Sequence, residues 1–353
     1  MRRGFLLLPT STIFKSNNFS LEKGGKINDL EIAYETYGTL NKDGNNGILI
    51  CHGYTNNQHA AGDKHGWFSG IIGPGKAIDT NYYYIITANM LGSTYGSTGP
   101  ASINPTSGMP YGLSFPDITI GDMVNTQIRL LDHLGVKQLI AVIGNSFGGH
   151  LAFQWGVSCS ERIKSVISIV SAPMGNGDQS SVDHLVNRFS KCAEWNNGQY
   201  YNHKNNSCIF DELVKYRIDT LKRYGYHNKI QKDLGNNLNN NSQHLTNIAK
   251  SWAEKFDVNS LIVLRKASIQ FDIRPMISNI QVPLLYVLSR TDRVFPSSVA
   301  KKTMEMFKES GIDACYFEID SDNGHRAPSV DWHKWADELK EFIEQQKLLA
   351  LKN

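Results

Sequence analysis

Short apolar runs rich in β-branched residues alternate along this chain with segments in which apolar residues recur at helical spacing. The apolar runs predict strands at residues 30–38, 47–53, 82–89, 138–144, 165–173, 283–289 and 314–320. The helical spacing predicts helices at about 120–134, 148–155, 298–309 and 332–349. Strands that alternate with helices are typical of an α/β fold, so we expect a mostly parallel central sheet with helices on both faces.

The first of these helices has recognisable ends. Thr119 and Asp122 have the spacing of a capping box, in which each side chain bonds a backbone amide of the other residue. Gly135 follows the last apolar position and suits the left-handed conformation that ends many helices. The sequence therefore places this helix between Thr119 and Gly135.

One long segment, residues 173–279, breaks the alternation because it is polar and helix-like throughout. We interpret it as a helical cap inserted into a core formed by residues 1–172 and 280–353. Within the cap, the asparagine-rich tract 235–244 has too few apolar side chains to cover a core, which predicts a flexible loop.

Composition and charge narrow the class of protein. Of 353 residues, 41% are hydrophobic and 20% charged, the formal net charge is +3, and no block of clustered Lys and Arg is present, so we expect no nucleic-acid partner. No apolar run approaches the length of a membrane span. The apolar stretch Phe5–Leu8 near the N-terminus is shorter than the core of a signal peptide. We therefore expect the chain start to pack on the domain, and a cytoplasmic location.

The cysteines give no sign of a metal site or a disulfide framework, because their number is odd, their spacing is wide and no CxxC pair occurs. The expectation is that all are buried free thiols. They are Cys51, Cys159, Cys192, Cys208 and Cys315.

The stretch AVIGNSFGGHLAF leaves a predicted strand through a serine boxed by glycines and continues at once as a helix. Gly144 to Gly148 fit G-x-S-x-G, the sharp strand-to-helix turn that exposes a nucleophilic serine. Ser146 is therefore the candidate nucleophile, and the amide of Phe147 the candidate first oxyanion donor. An ordinary turn or helix cap remains the alternative for the pentapeptide alone.

Two further residues supply the partners that such a serine needs. Asp292 follows the predicted strand 283–289, and His325 follows 314–320. The order Ser, Asp, His is the α/β-hydrolase order, in which the histidine accepts the serine proton and the aspartate orients the imidazole. Separately, Asp292 could cap the next helix and His325 could be a turn residue. The second oxyanion donor is expected in the loop after residues 47–53, at the amide of Tyr54.

The sequence resembles a known family, the homoserine O-acetyltransferase group of α/β-hydrolase-fold proteins. The resemblance runs from about residue 30 to the last helix and includes the stretches CHGYTNNQHAAG, YGLSFPDITIGDMV, GNSFGG and KFDVNSLIVLRKASIQFDI. It implies an α/β-hydrolase fold in which Ser146, Asp292 and His325 act on acetyl-CoA, the acyl donor, with no permanently bound cofactor. It also implies an alcohol acceptor and a homodimer formed through the cap.

The resemblance extends only in part to the residues that would recognise the acceptor. It implies that Arg217 and Tyr224 receive the substrate carboxylate, which suits a guanidinium because it can bind a carboxylate through two parallel hydrogen bonds. The alternative is that Arg217 is a solvated residue of the cap. Arg326 occupies a place where the group usually has an aspartate, and a cation there would repel a substrate ammonium.

Two functions use the same triad. The first is acyl transfer from acetyl-CoA to homoserine or a related alcohol, and the second is ester hydrolysis, in which water resolves the acyl-enzyme. Arg326 favours hydrolysis or an altered acceptor, whereas the long family stretches favour acyl transfer. A binding protein with a relict site is a third possibility, against which the complete triad argues.

Overall fold

A computed structural model describes residues 11–202, 207–226 and 238–350 of the chain. Its strands are β1 Thr12–Ser20, β2 Lys26–Tyr37, β3 Gly47–Cys51, β4 Ile72–Gly73, β5 Ile78–Asp79, β6 Tyr84–Ala88, β7 Leu139–Asn145, β8 Val166–Ile169, β9 Leu284–Ser289 and β10 Ala314–Ile319. Its α-helices are α1 Ile120–Leu134, α2 Phe147–Ser158, α3 Gln179–Phe189, α4 Cys208–Arg223, α5 Leu238–Ala253, α6 Val258–Ile269, α7 Ala300–Glu309, α8 Ala327–Val330 and α9 Ala336–Ala350. Short 3-10 helices occur at Gly112–Ser114, Ser160–Arg162, Ala193–Gly198, Arg274–Asn279, Ser297–Val299, Gly324–Arg326 and Trp332–Lys334.

One sheet of eight strands in the described part of the chain forms the centre, in the order β1-β2-β6-β3-β7-β8-β9-β10. The six strands from β6 to β10 in that order run parallel, and β1 and β2 are antiparallel at one edge. The prediction of a mostly parallel sheet is therefore confirmed. Strand β1 was not predicted, because its apolar residues do not alternate regularly with polar ones.

Helices cover both faces of this sheet, as the alternation predicted. Helices α1, α2 and α7 pack on one face, with Trp155 and Phe307 fully buried among the strand side chains. Helix α9 and the segment after β3 cover the other face around Phe68 and Trp335. Because both faces are covered, every residue of β3, β8 and β9 is buried, which is why these strands read as continuous apolar runs.

Helix α1 has the ends that the sequence predicted. The hydroxyl of Thr119 accepts a hydrogen bond from the Asp122 amide, and the Asp122 carboxylate accepts one from the Thr119 amide. Gly135 ends the helix with a φ of 78°, the left-handed region that glycine adopts without steric cost.

The segment between β8 and β9 contains α3, α4, α5 and α6, which form an apolar cluster of their own around Phe189, Trp195, Leu213 and Trp252. An inserted helical segment is thus present. The predicted loop at 235–244 is wrong from Leu238 onward, where α5 begins, and residues 235–237 lie outside the described residues. The helix forms because its later turns bury Leu245, Ala249 and Trp252, and asparagine disfavours a helix only weakly.

The cysteines differ from the prediction of five buried thiols. Cys192 and Cys208 form a disulfide, with Cα atoms 5.5 Å apart, which joins the segment after α3 to the start of α4. Cys51 and Cys159 are buried and free as predicted, whereas Cys315 is free but exposed. The prediction failed for Cys192 and Cys208 because the fold of the helical segment, not a short spacing motif, brings them together.

Two further expectations concern the start of the chain and membrane-spanning segments. The expected packing of the chain start falls on residues 1–10, which lie outside the described residues. Across the described ranges, we find no helix with the length and apolar character that crossing a bilayer requires.

Candidate active site

The turn between β7 and α2 holds Ser146 in a strained conformation, with a φ of 57° and a ψ of −119°. Non-glycine residues rarely adopt a positive φ, and such strain is concentrated at functional sites. The flanking glycines make this turn possible. A Cβ atom at Gly144 would lie 2.0 Å from the Gly148 carbonyl oxygen, and one at Gly148 would lie 2.1 Å from the Cys51 carbonyl oxygen. The local sequence therefore lifts one hydroxyl clear of the backbone.

A chain of two hydrogen bonds starts at this hydroxyl. Ser146 Oγ lies 2.8 Å from His325 Nε2, and His325 Nδ1 lies 2.7 Å from Asp292 Oδ2. All three residues are buried, at 8%, 6% and 4% relative exposure in the order Ser, His, Asp. The aspartate fixes the tautomer, since Nδ1 donates to the carboxylate and Nε2 is left to accept from the serine. Such an arrangement can activate a serine for attack on an acyl group.

The alternatives considered for Ser146 and Asp292 do not describe these contacts, and His325 bonds both of them although it lies in the short 3-10 helix Gly324–Arg326. Ser146 is the residue before α2, yet its hydroxyl bonds His325 and not an amide of the first turn. Asp292 accepts from the Val294 amide at 2.7 Å with one oxygen, which shapes its own loop, and uses the other for His325.

Thr291 joins the two loops that carry Asp292 and His325. Its hydroxyl donates to the Ser321 carbonyl oxygen at 2.7 Å and accepts from the Gly324 amide at 3.2 Å. The aspartate loop after β9 and the histidine loop after β10 are therefore held at a fixed distance. The sequence analysis missed Thr291, and its position next to Asp292 was the one available signal.

The expected oxyanion donors both lie beside the nucleophile turn. Phe147 is the first residue of α2, so its amide has no partner one turn earlier in the helix. Tyr54 follows β3, and its ring stacks on that of Phe147 with centroids 5.9 Å apart. The preceding Gly53 is so close to the turn that a Cβ atom there would lie 3.6 Å from Ser146 Cβ. Both residues therefore flank Ser146.

Two buried histidines near the turn, His52 and His150, make structural contacts. Burial lowers the pKa of His52 and of His150 to about 4. His52 Nε2 lies 3.0 Å from Asn89 Oδ1, and His150 Nδ1 lies 3.0 Å from the Ala172 carbonyl oxygen. Neutral rings with these partners fix the loop and the helix on either side of the nucleophile.

Arg217 lies in α4, and Tyr224 follows the last residue of this helix. The Arg217 guanidinium donates to Thr55 Oγ1 at 2.8 Å, and Tyr224 packs against His325 with ring centroids 4.8 Å apart. Burial lowers the pKa of Arg217 and raises the pKa of Tyr224 to about 12. Arg217 is therefore not a fully solvated residue, since it is half-buried and its guanidinium is bonded to Thr55.

Arg326 follows His325 directly, and its guanidinium carbon lies 3.8 Å from the centroid of the Tyr226 ring. A cation at this distance is attracted to the electron-rich ring face. The side chain is thus held beside the end of α4, next to the segment that carries Arg217 and Tyr224.

Among the described residues, one cluster has the donor atoms of a metal site: Cys192, Glu194 and Cys208. Its two sulfur atoms form the disulfide, which removes both thiolates as ligands.

Comparison with known proteins identifies the family to which the chain belongs. Residues 46–327 match the family described as alpha/beta hydrolase fold. The homoserine O-acetyltransferase of Methanosalsum zhilinae is 36% identical, over 93% of this chain and 71% of that protein. The chain belongs to the homoserine O-acetyltransferase family of the α/β-hydrolase fold. The predicted fold class is therefore confirmed.

Solved structures of this family and of esterases share the architecture. The homoserine O-acetyltransferase of Bacillus anthracis superposes with a TM-score of 0.84 at 28% identity, covering 94% of this chain and 97% of that one. Esterase E22 has the same TM-score at 27% identity, covering 94% and 99%. The same fold thus occurs in a homoserine O-acetyltransferase and in a protein named as an esterase. Acyl transfer and ester hydrolysis are the two functions that the sequence left open.

Proposed function

We propose that this protein is an O-acyltransferase with a serine nucleophile. It moves an acetyl group from acetyl-CoA to the hydroxyl of homoserine or a closely related alcohol. The observation that carries the proposal is the hydrogen-bonded chain Ser146–His325–Asp292. Family membership supports the choice of acyl transfer, and no permanently bound cofactor is needed for this chemistry.

In the first step Ser146 Oγ attacks the thioester carbonyl carbon while His325 Nε2 accepts the hydroxyl proton. Asp292 stabilises the imidazolium that results. The amides of Tyr54 and Phe147 donate to the developing oxyanion. When the tetrahedral intermediate collapses, the C–S bond breaks, and the CoA thiol leaves with the proton that His325 returns.

In the second step the acceptor alcohol attacks the acetyl-enzyme. His325 now accepts the alcohol proton and returns it to Ser146 Oγ as the ester bond to the enzyme breaks. The products are the acetylated alcohol and the free serine, so no electrons are exchanged with a cofactor. Water at the same position would give acetate, which is the hydrolase reaction.

Arg217 is the proposed receptor for an acceptor carboxylate, with Tyr224 beside it. Its side chain is half-buried, and its Nε atom is buried with no hydrogen-bond partner among the described residues. A buried donor without a partner is costly, and a ligand carboxylate would satisfy it. Arg326 is proposed to select among homoserine-like alcohols by charge, favouring a related acceptor without a free ammonium at its end of the site over homoserine itself.

The alternative function is ester hydrolysis, which the similarity to esterase E22 favours. One assay separates the two. Purified protein is mixed with acetyl-CoA, with and without homoserine, and thiol release is followed, while a short-chain activated ester is offered in parallel. Thiol release that depends on the alcohol supports acyl transfer. Ester cleavage that ignores the alcohol supports hydrolysis. Activity that survives in Ser146→Ala would remove the nucleophile assignment.

Further parts of the proposal concern the whole protein. We propose residues 173–279 as a cap on a core of 1–172 and 280–353, and a homodimer formed through that cap. Light scattering at micromolar concentration gives the mass of the assembly, and a monomer of 39.5 kDa would contradict the dimer. A cytoplasmic location is proposed because acetyl-CoA is the donor, and cell fractionation tests it.

A further inference from the structure

The guanidinium of Arg217 is held from two directions. Its Nη1 donates to Thr55 Oγ1 at 2.8 Å, and its Cζ lies 4.7 Å from the centroid of the Trp252 ring. A hydrogen bond fixes one edge of the guanidinium, and the cation–π contact fixes one face. The remaining edge, with Nε, is the one that has no partner among the described residues.

Thr55 and Trp252 are also bonded to each other. The Trp252 indole N–H donates to the Thr55 carbonyl oxygen at 3.3 Å, so Thr55 accepts through its backbone and through its side chain. Both residues are buried, each at 8% exposure. Thr55 comes from the loop after β3, Arg217 from α4 and Trp252 from α5, which means that three distant parts of the chain converge on one cation.

Four tyrosines are further neighbours of this cation. They are Tyr95, Tyr216, Tyr224 and Tyr226. Burial raises the pKa of Tyr95 and of Tyr224 to about 12, so these two side chains stay neutral near pH 7. A half-buried guanidinium that Thr55 and Trp252 hold in one orientation can bind a carboxylate in a defined position.

Thr55 also lies next to Tyr54, the expected oxyanion donor. Any shift of Thr55 therefore moves the anion receptor and the reacting centre relative to each other. A carboxylate bound at Arg217 would place the rest of the acceptor at a set distance from Ser146, which is the positioning on which rates of bimolecular reactions depend.

We propose that Thr55 and Trp252 are positioning residues that fix Arg217 for the carboxylate of the acceptor, and thereby select acidic alcohols over neutral ones. This inference rests on the proposed function, because it assigns Arg217 to the acceptor. The inference goes beyond the proposed function by naming the residues that give the site its preference for an anion.

The test compares two acceptors that differ in one group, 4-hydroxybutyrate and 1,4-butanediol, with an activated acetyl ester as donor. The preference is the ratio of kcat/KM for the acidic alcohol to that for the neutral one. The rate of enzyme acylation is measured separately from the first turnover, without acceptor. We expect the wild type to prefer 4-hydroxybutyrate at least tenfold, since hydrogen bonds to charged groups are among the strongest in proteins.

Thr55→Val keeps the side-chain shape and removes the oxygen that Arg217 uses. We expect the preference to fall about tenfold, and more than the acylation rate falls. Thr55→Ser keeps the hydroxyl and should restore at least a third of the wild-type preference. Trp252→Phe keeps an aromatic face and should lose less of the preference than Trp252→Leu, which removes it.

Three results would overturn the inference. The first is a wild type without a preference for the acid. The second is Thr55→Val and Thr55→Ser having equal effects. The third is a loss shared equally by both alcohols and by acylation, which is what general disturbance of the fold produces. If Thr55→Val unfolds, as its melting temperature will show, the serine and Trp252 variants give the same comparison. Failure of the wild type to use acetyl-CoA would reject the proposed function separately, because the ester donor does not depend on it.

Discussion

At the residue scale, the catalytic proposal depends on three side chains from three loops that meet within hydrogen-bonding distance. Ser146 could be predicted because the sharp turn that holds it needs glycine at positions 144 and 148, where a Cβ atom would clash with the backbone. Asp292 and His325 could be predicted from their places after buried strands. Thr55 and Trp252 could not, because their roles arise from contacts across 162 and 35 positions with Arg217, and a sequence does not display such contacts.

Replacing Asp292 with asparagine tests the role of the carboxylate. The amide cannot hold the imidazole in the tautomer that accepts from Ser146, so we expect kcat to fall by roughly 10³–10⁴-fold. Thiol release from acetyl-CoA in the presence of homoserine measures it. Asp320→Asn is the matched control, because Asp320 is an exposed carboxylate paired with Arg290 and should leave kcat within a factor of two. Equal rates for the two variants would contradict the assignment.

At the scale of elements, the strands of the sheet interior were predictable because they are buried on both faces, and such strands consist of continuous apolar residues. Strand β1 and the start of α5 are two examples of elements that were not predictable. Strand β1 is stabilised by pairing with β2 over Thr12 to Ser20, an interaction that lies outside its own sequence. The start of α5 follows from the apolar contacts of its later turns, which override a polar local composition.

The loop after β3 contains a charged contact that predicts a pH dependence of stability. His59 lies between Glu35 and Asp63, with both nitrogen–oxygen distances 2.9 Å. Burial opposes its charged form, but the hydrogen bonds to Asp63 and Glu35 outweigh burial and raise the pKa of His59. The folded state therefore binds the proton more tightly than the unfolded chain does. This contribution is complete below the unfolded pKa of about 6.5 and is lost as pH rises through the higher folded pKa.

His59→Gln should remove that contribution. We expect the free energy of unfolding of the wild type to exceed that of the variant by about 1 kcal/mol more at pH 5.5 than at pH 9. Urea unfolding at both pH values measures the difference. His65→Gln, at an exposed position of the same loop, is the control. A difference between wild type and His59→Gln that stays constant or grows with pH would show that the contact carries no charge.

At the scale of the whole molecule, the alternation of strands and helices predicted the core, and the interruption of that pattern predicted inserted helices. The internal bonding of the inserted segment was not predictable. Cys192 and Cys208 are 16 positions apart, and only the packing of the segment after α3 against α4 brings them together. The same helix α4 ends at Arg223, so it connects this disulfide to the residues beside the triad.

Reduction of the disulfide should weaken the fold, because a crosslink of this spacing restricts the unfolded chain by about 3 kcal/mol in the loop-entropy account. We expect urea unfolding with a dithiol reductant to give a free energy lower by up to about that amount. The variant with both Cys192→Ser and Cys208→Ser should not respond to the reductant. Cys315→Ser, which removes an exposed free thiol, should respond like the wild type. If the reductant lowers the unfolding free energy of the double variant as much as that of the wild type, the effect does not come from this disulfide.

The central claim is that Ser146 carries the acyl group between donor and acceptor, and the acetyl-enzyme itself is the most direct test. Protein mixed with acetyl-CoA in the absence of alcohol is quenched in acid within the first turnover, digested, and analysed by mass spectrometry. The account predicts an added mass of one acetyl group on the peptide that contains Ser146, removed by homoserine before the quench. An acetyl group on another residue, or CoA release from Ser146→Ala at the wild-type rate, would contradict it.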